Sequence, residues 1–184
     1  MLKCLNVNMT KGFTLMEAVV AIFVIITGIV GVMTLVTYTI TSAQISKDKL
    51  IAAYLAQEGI EIVRNIRDTN WLEQYSESTN PWNEGLIGCD CTCEDGAFEG
   101  CIADYNTPTL EDPTLQIYNG EYLNIDSSGF YSYSTNPPFR PTKFRRKIVI
   151  IPEVYTLEVC ARVEWEEKGI VHHIIVNEIL YNWR

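Results

Sequence analysis

Cys89, Cys91, Cys93 and Cys101 fall close together, Cys160 lies farther on, and Cys4 stands near the start. Thiols so grouped can close loops as disulfides or hold zinc through four sulfurs. The run Cys89-x-Cys91-x-Cys93 lacks the Cys-x-x-Cys knuckles usual in zinc sites, so disulfides are the favoured reading, with metal binding and free thiols as alternatives. The expected bridge joins Cys101 to one member of the triplet. His172 and His173 are adjacent in a β-rich run, so they point to opposite faces and are poorly arranged to share a metal. Arg140, Lys143, Arg145, Arg146 and Lys147 could neutralise phosphates. Strand alternation divides these bases between two faces, however, and Glu158, Glu164 and Glu166 could pair with them from a neighbouring strand, which argues against a nucleic-acid partner. Asp126 could ligate calcium or cap a turn, and capping is favoured. No Ser-His-Asp order, phosphate loop or supported carboxylate pair occurs, so the reading is of a protein that is not an enzyme and has no cofactor.

The remaining reactive group is Glu17, whose setting is defined by the pattern of charge. The chain has 184 residues and a net charge of -9, yet no charged residue occurs from Ala18 through Ser46. A helix over that span reaches roughly 43 Å, more than the ~30 Å hydrocarbon core of a bilayer. Thr69 to Phe139 holds twelve acids and no Lys, Arg or His, whereas Arg140 to Arg184 holds eight Lys and Arg against six acids. Met1 to Gly12 carries Lys3 and Lys11 and no acid, which places it on the cytoplasmic side and the head beyond the membrane, where disulfides are favoured. The apolar run is too long for an ordinary cleaved secretory signal. An uncut signal anchor is the plain alternative, but a carboxylate at the membrane face, where central placement costs roughly 2.5–3.5 kcal/mol, calls for a partner.

The stretch Lys11-Gly12-Phe13-Thr14-Leu15-Met16-Glu17-Ala18-Val19-Val20 resembles the class III signal of type IV prepilins and type II secretion pseudopilins. The resemblance implies that a prepilin peptidase cuts between Gly12 and Phe13, removing residues 1–12 with Cys4, and methylates the new Phe13 amine. It also implies that Glu17 pairs with the positive N-terminus of a neighbouring subunit. The implied partners are the peptidase, other pilins or pseudopilins met through the helix, the inner-membrane assembly platform and the membrane. Five cysteines then remain, an odd number that allows 5 × 3 = 15 arrangements of two bridges. Many members of the family have a proline near the position of Thr34, where this sequence has none.

The helix is expected over residues 13–68, with its membrane and assembly segment at about 18–46. Gly28 and Gly31 could allow close helix approach or local melting. Ile51, Leu55, Gly59, Ile62 and Ile66 form an apolar stripe in its second half, and Arg64 and Asp68 stand as an i,i+4 pair. The head, residues 69–184, divides into an irregular cysteine-bearing region over 69–139 and an antiparallel sheet over 143–181. Within the first region, Tyr122 to Tyr133 reads as a hairpin about Asp126-Ser127-Ser128-Gly129. Lys143–Ile151, Val154–Glu166 and Ile170–Tyr181 read as three strands. In the middle one Leu157, Val159, Ala161, Val163 and Trp165 form a core face, and Glu158, Cys160, Arg162, Glu164 and Glu166 form a face expected to be wet.

The expected fold is therefore α+β: a long N-terminal helix, transmembrane in its first half, packed on a C-terminal antiparallel sheet of three or more strands, as in pilins. Tyr54-Leu55-Ala56-Gln57-Glu58-Gly59-Ile60-Glu61 and Asn65-Ile66-Arg67-Asp68 look like minor pilins of the PilV type. On that resemblance the chain is expected to be a minor type IV pilin aiding filament assembly, adhesion or motility. It would be held in the inner membrane as a single-pass protein with its head outside the cytoplasm, and would reach the cell surface on assembly. A minor pseudopilin of type II secretion, and a signal-anchored module with a Cys-based metal site, are the alternatives.

Overall fold

A computed structural model describes residues 12–75, 81–89, 93, 100–107 and 115–183. The helix α1 runs unbroken over Leu15–Tyr75. Thr14 caps it: its carbonyl accepts from the N–H groups of Glu17 and Ala18, and its hydroxyl accepts from the Glu17 N–H at 3.3 Å. With Glu17 three residues after the cap, this is a capping-box spacing, and the acid also opposes the positive helix N-terminus.

Up to Lys47 the chain forms one unit and from Asp48 onward another. In the first, the large apolar side chains are exposed. Its hydroxyls donate back to carbonyls of the same helix: Thr27 to Phe23, Thr34 to Val30, Thr37 to Met33 and Ser46 to Ser42, at 2.9–3.1 Å. Polar groups satisfied within the helix suit an apolar medium. The helix passes Gly28, Gly31 and Thr34 without interruption.

In the second unit the helix continues to Tyr75, beyond the expected end at Asp68. Asn70, a turn-forming residue type, lies just past that expected end. It is buried, and its amide donates to the Trp82 and Glu84 carbonyls at 3.3 and 2.9 Å, so it anchors the following turn without ending the helix. The buried stripe is Ala52, Leu55, Ala56, Gly59, Ile60, Val63 and Ile66, while Ile51 and Ile62 only flank it. Small residues let the sheet approach closely. A Cβ on Gly59 would stand 3.1 Å from Arg146 Cδ and 3.3 Å from Ile148 Cδ1.

The strands are β1 Cys101–Ile102, β2 Gln116–Ile117, β3 Asn124–Ile125, β4 Tyr131–Ser132, β5 Arg140–Pro141, β6 Phe144–Pro152, β7 Thr156–Glu167 and β8 Ile170–Tyr181. They form a five-stranded antiparallel sheet in the order β2-β1-β6-β7-β8 and a three-stranded one in the order β4-β3-β5. The expected meander is β6-β7-β8. Leu157, Val159, Ala161, Val163 and Trp165 are buried with Phe144, Ile148, Ile150 and the helix stripe in one core. The fold is thus α+β, a long helix packed on an antiparallel sheet. On the other face of β7 the expected wet surface is found at Glu158 and Glu166, which are exposed, but Cys160 and Arg162 are buried there, as are Lys147 and Val149 beside them on β6. Cys93 lies against this face: it is bonded to Cys160, and its carbonyl accepts from Arg162 Nη1 at 3.2 Å. Gly100 approaches β6 closely at φ +128°, where a Cβ would stand 3.0 Å from the Ile148 carbonyl oxygen and 2.8 Å from Lys147 Cγ.

Candidate functional site

At the N-terminal end of α1, Gly12 and Phe13 precede the Thr14 cap and Glu17 sits in the first helical turn, so one short segment carries the implied cleavage point, the implied methylation point and the acid. Phe13, Leu15 and Met16 are highly exposed. Among the described residues no cation pairs with Glu17. Lys3, Cys4 and Lys11 lie outside the described residues. The helix is long and apolar enough to cross a bilayer, which makes it a candidate membrane anchor. Thr14-x-x-Glu17 before an apolar run is also a helix-start signal legible in the sequence, separate from the assembly motif.

Cys101 is paired with Cys89, a member of the triplet, with Cα atoms 5.4 Å apart, and Cys93 is paired with Cys160 at 6.3 Å. Cys91 lies outside the described residues. The bridges close 12-residue and 67-residue separations, for which chain entropy gives about 3 and about 4 kcal/mol. Cys160→Ser is accordingly expected to lower stability by ~2–4 kcal/mol in denaturant titration. Alkylation before and after reduction, read by intact mass, should show Cys89, Cys93, Cys101 and Cys160 protected until reduced.

The five bases of the Arg140–Lys147 segment do not make a continuous basic surface. Arg146 is fully buried: it donates to the Leu55 carbonyl at 2.8 Å and to the Ala103 carbonyl, and lies 3.3 Å from Glu58. Lys147 is buried on the opposite face. Arg145 lies over the Tyr122 ring, 4.1 Å from its centroid. Lys143 bonds the buried Asp48 at 2.6 Å and Glu167 at 3.1 Å. The expected cross-strand pairing with Glu158, Glu164 and Glu166 is not what forms. Glu164 pairs with Arg162 two residues before it, and the helix supplies Asp48 and Glu58 as partners that strand alternation could not reveal. On the helix, Arg64 pairs with Glu61 and Glu178, and Asp68 pairs with Arg67, in place of the expected Arg64–Asp68 pair.

Burial would lower the Lys143 pKa, but the hydrogen bonds to Asp48 and Glu167 outweigh it and raise the group above the usual 10.5. A raised folded-state value means that the stabilisation is present in full below 10.5 and disappears as pH rises beyond the folded value. Lys143→Met should destabilise the protein by about 1–3 kcal/mol near neutral pH, because buried Asp48 loses a partner while Lys143 itself is partly screened by solvent. Thermal melts should show the gap between the two proteins closing at strongly alkaline pH.

Asp126 is a turn cap. Its Oδ1 accepts from the Ser128 and Phe130 N–H groups at 2.8 and 3.1 Å, and Oδ2 accepts from the Tyr105 hydroxyl. The Tyr105 bond, followed by these backbone bonds, holds its carboxyl below the usual range. Both oxygens thus already serve the fold, as the favoured reading required. His172 stacks on Trp165 with centroids 5.4 Å apart, and His173 is exposed on the other face, consistent with their alternation. Among the described residues no group of three His, Cys, Asp or Glu is placed to hold a metal.

No protein-family model, curated protein or solved structure matches this chain.

Proposed function

We propose that this chain is a minor type IV pilin of the PilV type, cut after Gly12, methylated at Phe13, and incorporated into a pilus through its N-terminal helix. The observation that carries the reading is the single helix Leu15–Tyr75. Its apolar residues are exposed through Ile40, the hydroxyls of Thr27, Thr34, Thr37, Thr39 and Ser46 bond within the helix, and from Ala52 onward it supplies the core of an α+β head. A simple signal anchor has no need for one helix to serve both purposes. The sequence around Gly12, Phe13 and Glu17 supports the same reading, since it sets a cleavage point and a carboxylate immediately before the apolar span.

The mechanism is assembly. The apolar helix waits in the inner membrane with the head outside the cytoplasm, and extraction into a helical bundle exchanges lipid contacts for subunit contacts. Glu17 would otherwise be carried into that bundle uncompensated, and the new amine at Phe13 of a neighbouring subunit neutralises it. A minor pseudopilin of type II secretion would use the same parts, and loss of pili as against loss of secretion in a deletion strain separates the two. The decisive measurement is the intact mass of the membrane-extracted protein. Cells with a working prepilin peptidase should yield a chain that begins at a methylated Phe13, and cells without it should yield the uncut chain. An unprocessed Met1 in both would overturn the proposal.

A further inference from the structure

Asn119 is the one asparagine in the chain that is followed by glycine. Of the others, Asn65 and Asn70 lie in α1, Asn124 in β3 and Asn177 in β8, where a hydrogen-bonded backbone resists the bend needed to meet its own side chain, and Asn70 and Asn124 are also buried. Asn119 stands just past β2, outside any helix or strand, and is exposed to water. Gly120 follows at φ +87°, a conformation suited to glycine, and with no Cβ beside it the Gly120 nitrogen is open to the preceding side chain. The Asn119 amide donates to the Ile117 carbonyl at 3.2 Å and to Glu121 Oε1 at 3.3 Å, both at the long end for such bonds. These contacts restrain it weakly.

We propose that Asn119 is a modification site, converted spontaneously by water to aspartate and isoaspartate. The Gly120 nitrogen gives its proton to solvent base and bonds to Asn119 Cγ, the Cγ–Nδ2 bond breaks, and Nδ2 leaves as ammonia, which closes a five-membered imide. Water then opens the ring. Addition at Cγ breaks its bond to the Gly120 nitrogen and leaves aspartate at position 119, whereas addition at the main-chain carbonyl leaves the peptide running through the side chain. One water is taken up and one ammonia is released, with no oxidant or enzyme. The consequence falls on Glu121, whose Oε2 accepts from the Asn119 N–H at 2.8 Å and whose Oε1 accepts from the amide. Conversion replaces that amide donor by a second carboxylate, adding one negative charge to the net of -9. Tyr118 and Leu123 donate backbone bonds to the Gly100 and Phe144 carbonyls at 2.9 Å, so the extra main-chain carbon of isoaspartate has to be absorbed within residues 119–122. The chemistry is the same whether or not the chain enters a pilus.

The full chain in nonionic detergent is to be held in mildly alkaline buffer at physiological temperature, sampled over weeks, digested at acid pH, where the ring does not form, and mapped by mass. The peptide carrying Asn119 is expected to gain one mass unit and to divide into two chromatographically distinct products, with isoaspartate, labelled by an isoaspartyl methyltransferase, in excess. The gain should be at least tenfold faster than at any other asparagine and should quicken as pH rises, since the attacking nitrogen must give up a proton. Asn119→Gln should abolish it at this position, because the longer side chain would have to close a less favoured six-membered ring. An unchanged Asn119 peptide would overturn the proposal. A single aspartate product would do the same, since it marks direct hydrolysis with no ring, and so would a gain spread evenly over the asparagines, which marks unfolding and not a site set by the fold.

Discussion

Glu17→Gln is expected to yield a protein that inserts and is processed normally but enters filaments at least about a hundredfold less well. Glutamine keeps the shape and the capping-box capacity of the third helical residue, so the helix start at Thr14 should survive. What it removes is the charge. On the proposed assembly, the variant would leave the positive N-terminus of a neighbour unpaired in an apolar bundle, at a cost of about 3–5 kcal/mol, and each 1.4 kcal/mol is a factor of ten in an equilibrium. Glu17→Ala should lose the cap contribution as well, typically near 1 kcal/mol or less, and so assemble no better than Gln. Immunodetection in sheared pili, normalised to the membrane pool, reads the effect. Wild-type incorporation of the glutamine variant would show that Glu17 serves only to start the helix.

The second large effect is expected in the head, at Arg146. This side chain is fully buried between helix and sheet, with the Leu55 and Ala103 carbonyls as acceptors and Glu58 as its ionic partner. Arg146→Ala leaves a cavity and removes the cation beside Glu58, and should cost about 3–5 kcal/mol. Arg146→Met fills most of the space with an apolar chain and should cost distinctly less, because replacing a buried ion by a well-packed apolar group is often nearly neutral. Urea titration of the full chain in detergent distinguishes the outcomes. Equal losses of under 1 kcal/mol for both variants would mean that Arg146 neither packs nor pairs as the structure places it.

The Arg146 case shows where local pattern stops being informative. Strand alternation divides Arg140, Lys143, Arg145, Arg146 and Lys147 between two faces, but it assigns only parity and does not say what lies above each face. Asp48 and Glu58, which receive Lys143 and Arg146, come from a helix almost a hundred residues earlier. The middle of β7's second face misled in the same way, since Cys160 is bonded to Cys93 and Arg162 donates to the Cys93 carbonyl. Strands β1 to β5 span two residues each, too few for any periodicity to register.

The sequence by itself determined the long helix, the three long strands, their core face, the Asp126 turn and the segment holding Gly12, Phe13 and Glu17. Each of these rests on interactions between residues near one another in the chain: a charge-free run, an alternation, a turn residue, a cap. Only the tertiary structure decided which cysteines meet, where the basic side chains find their partners, what lets the helix run past Asn70, and that β8 is the last strand of the five-stranded sheet. Those outcomes depend on which distant segments share a surface, and burial and pairing across such contacts leave no periodic trace in the sequence.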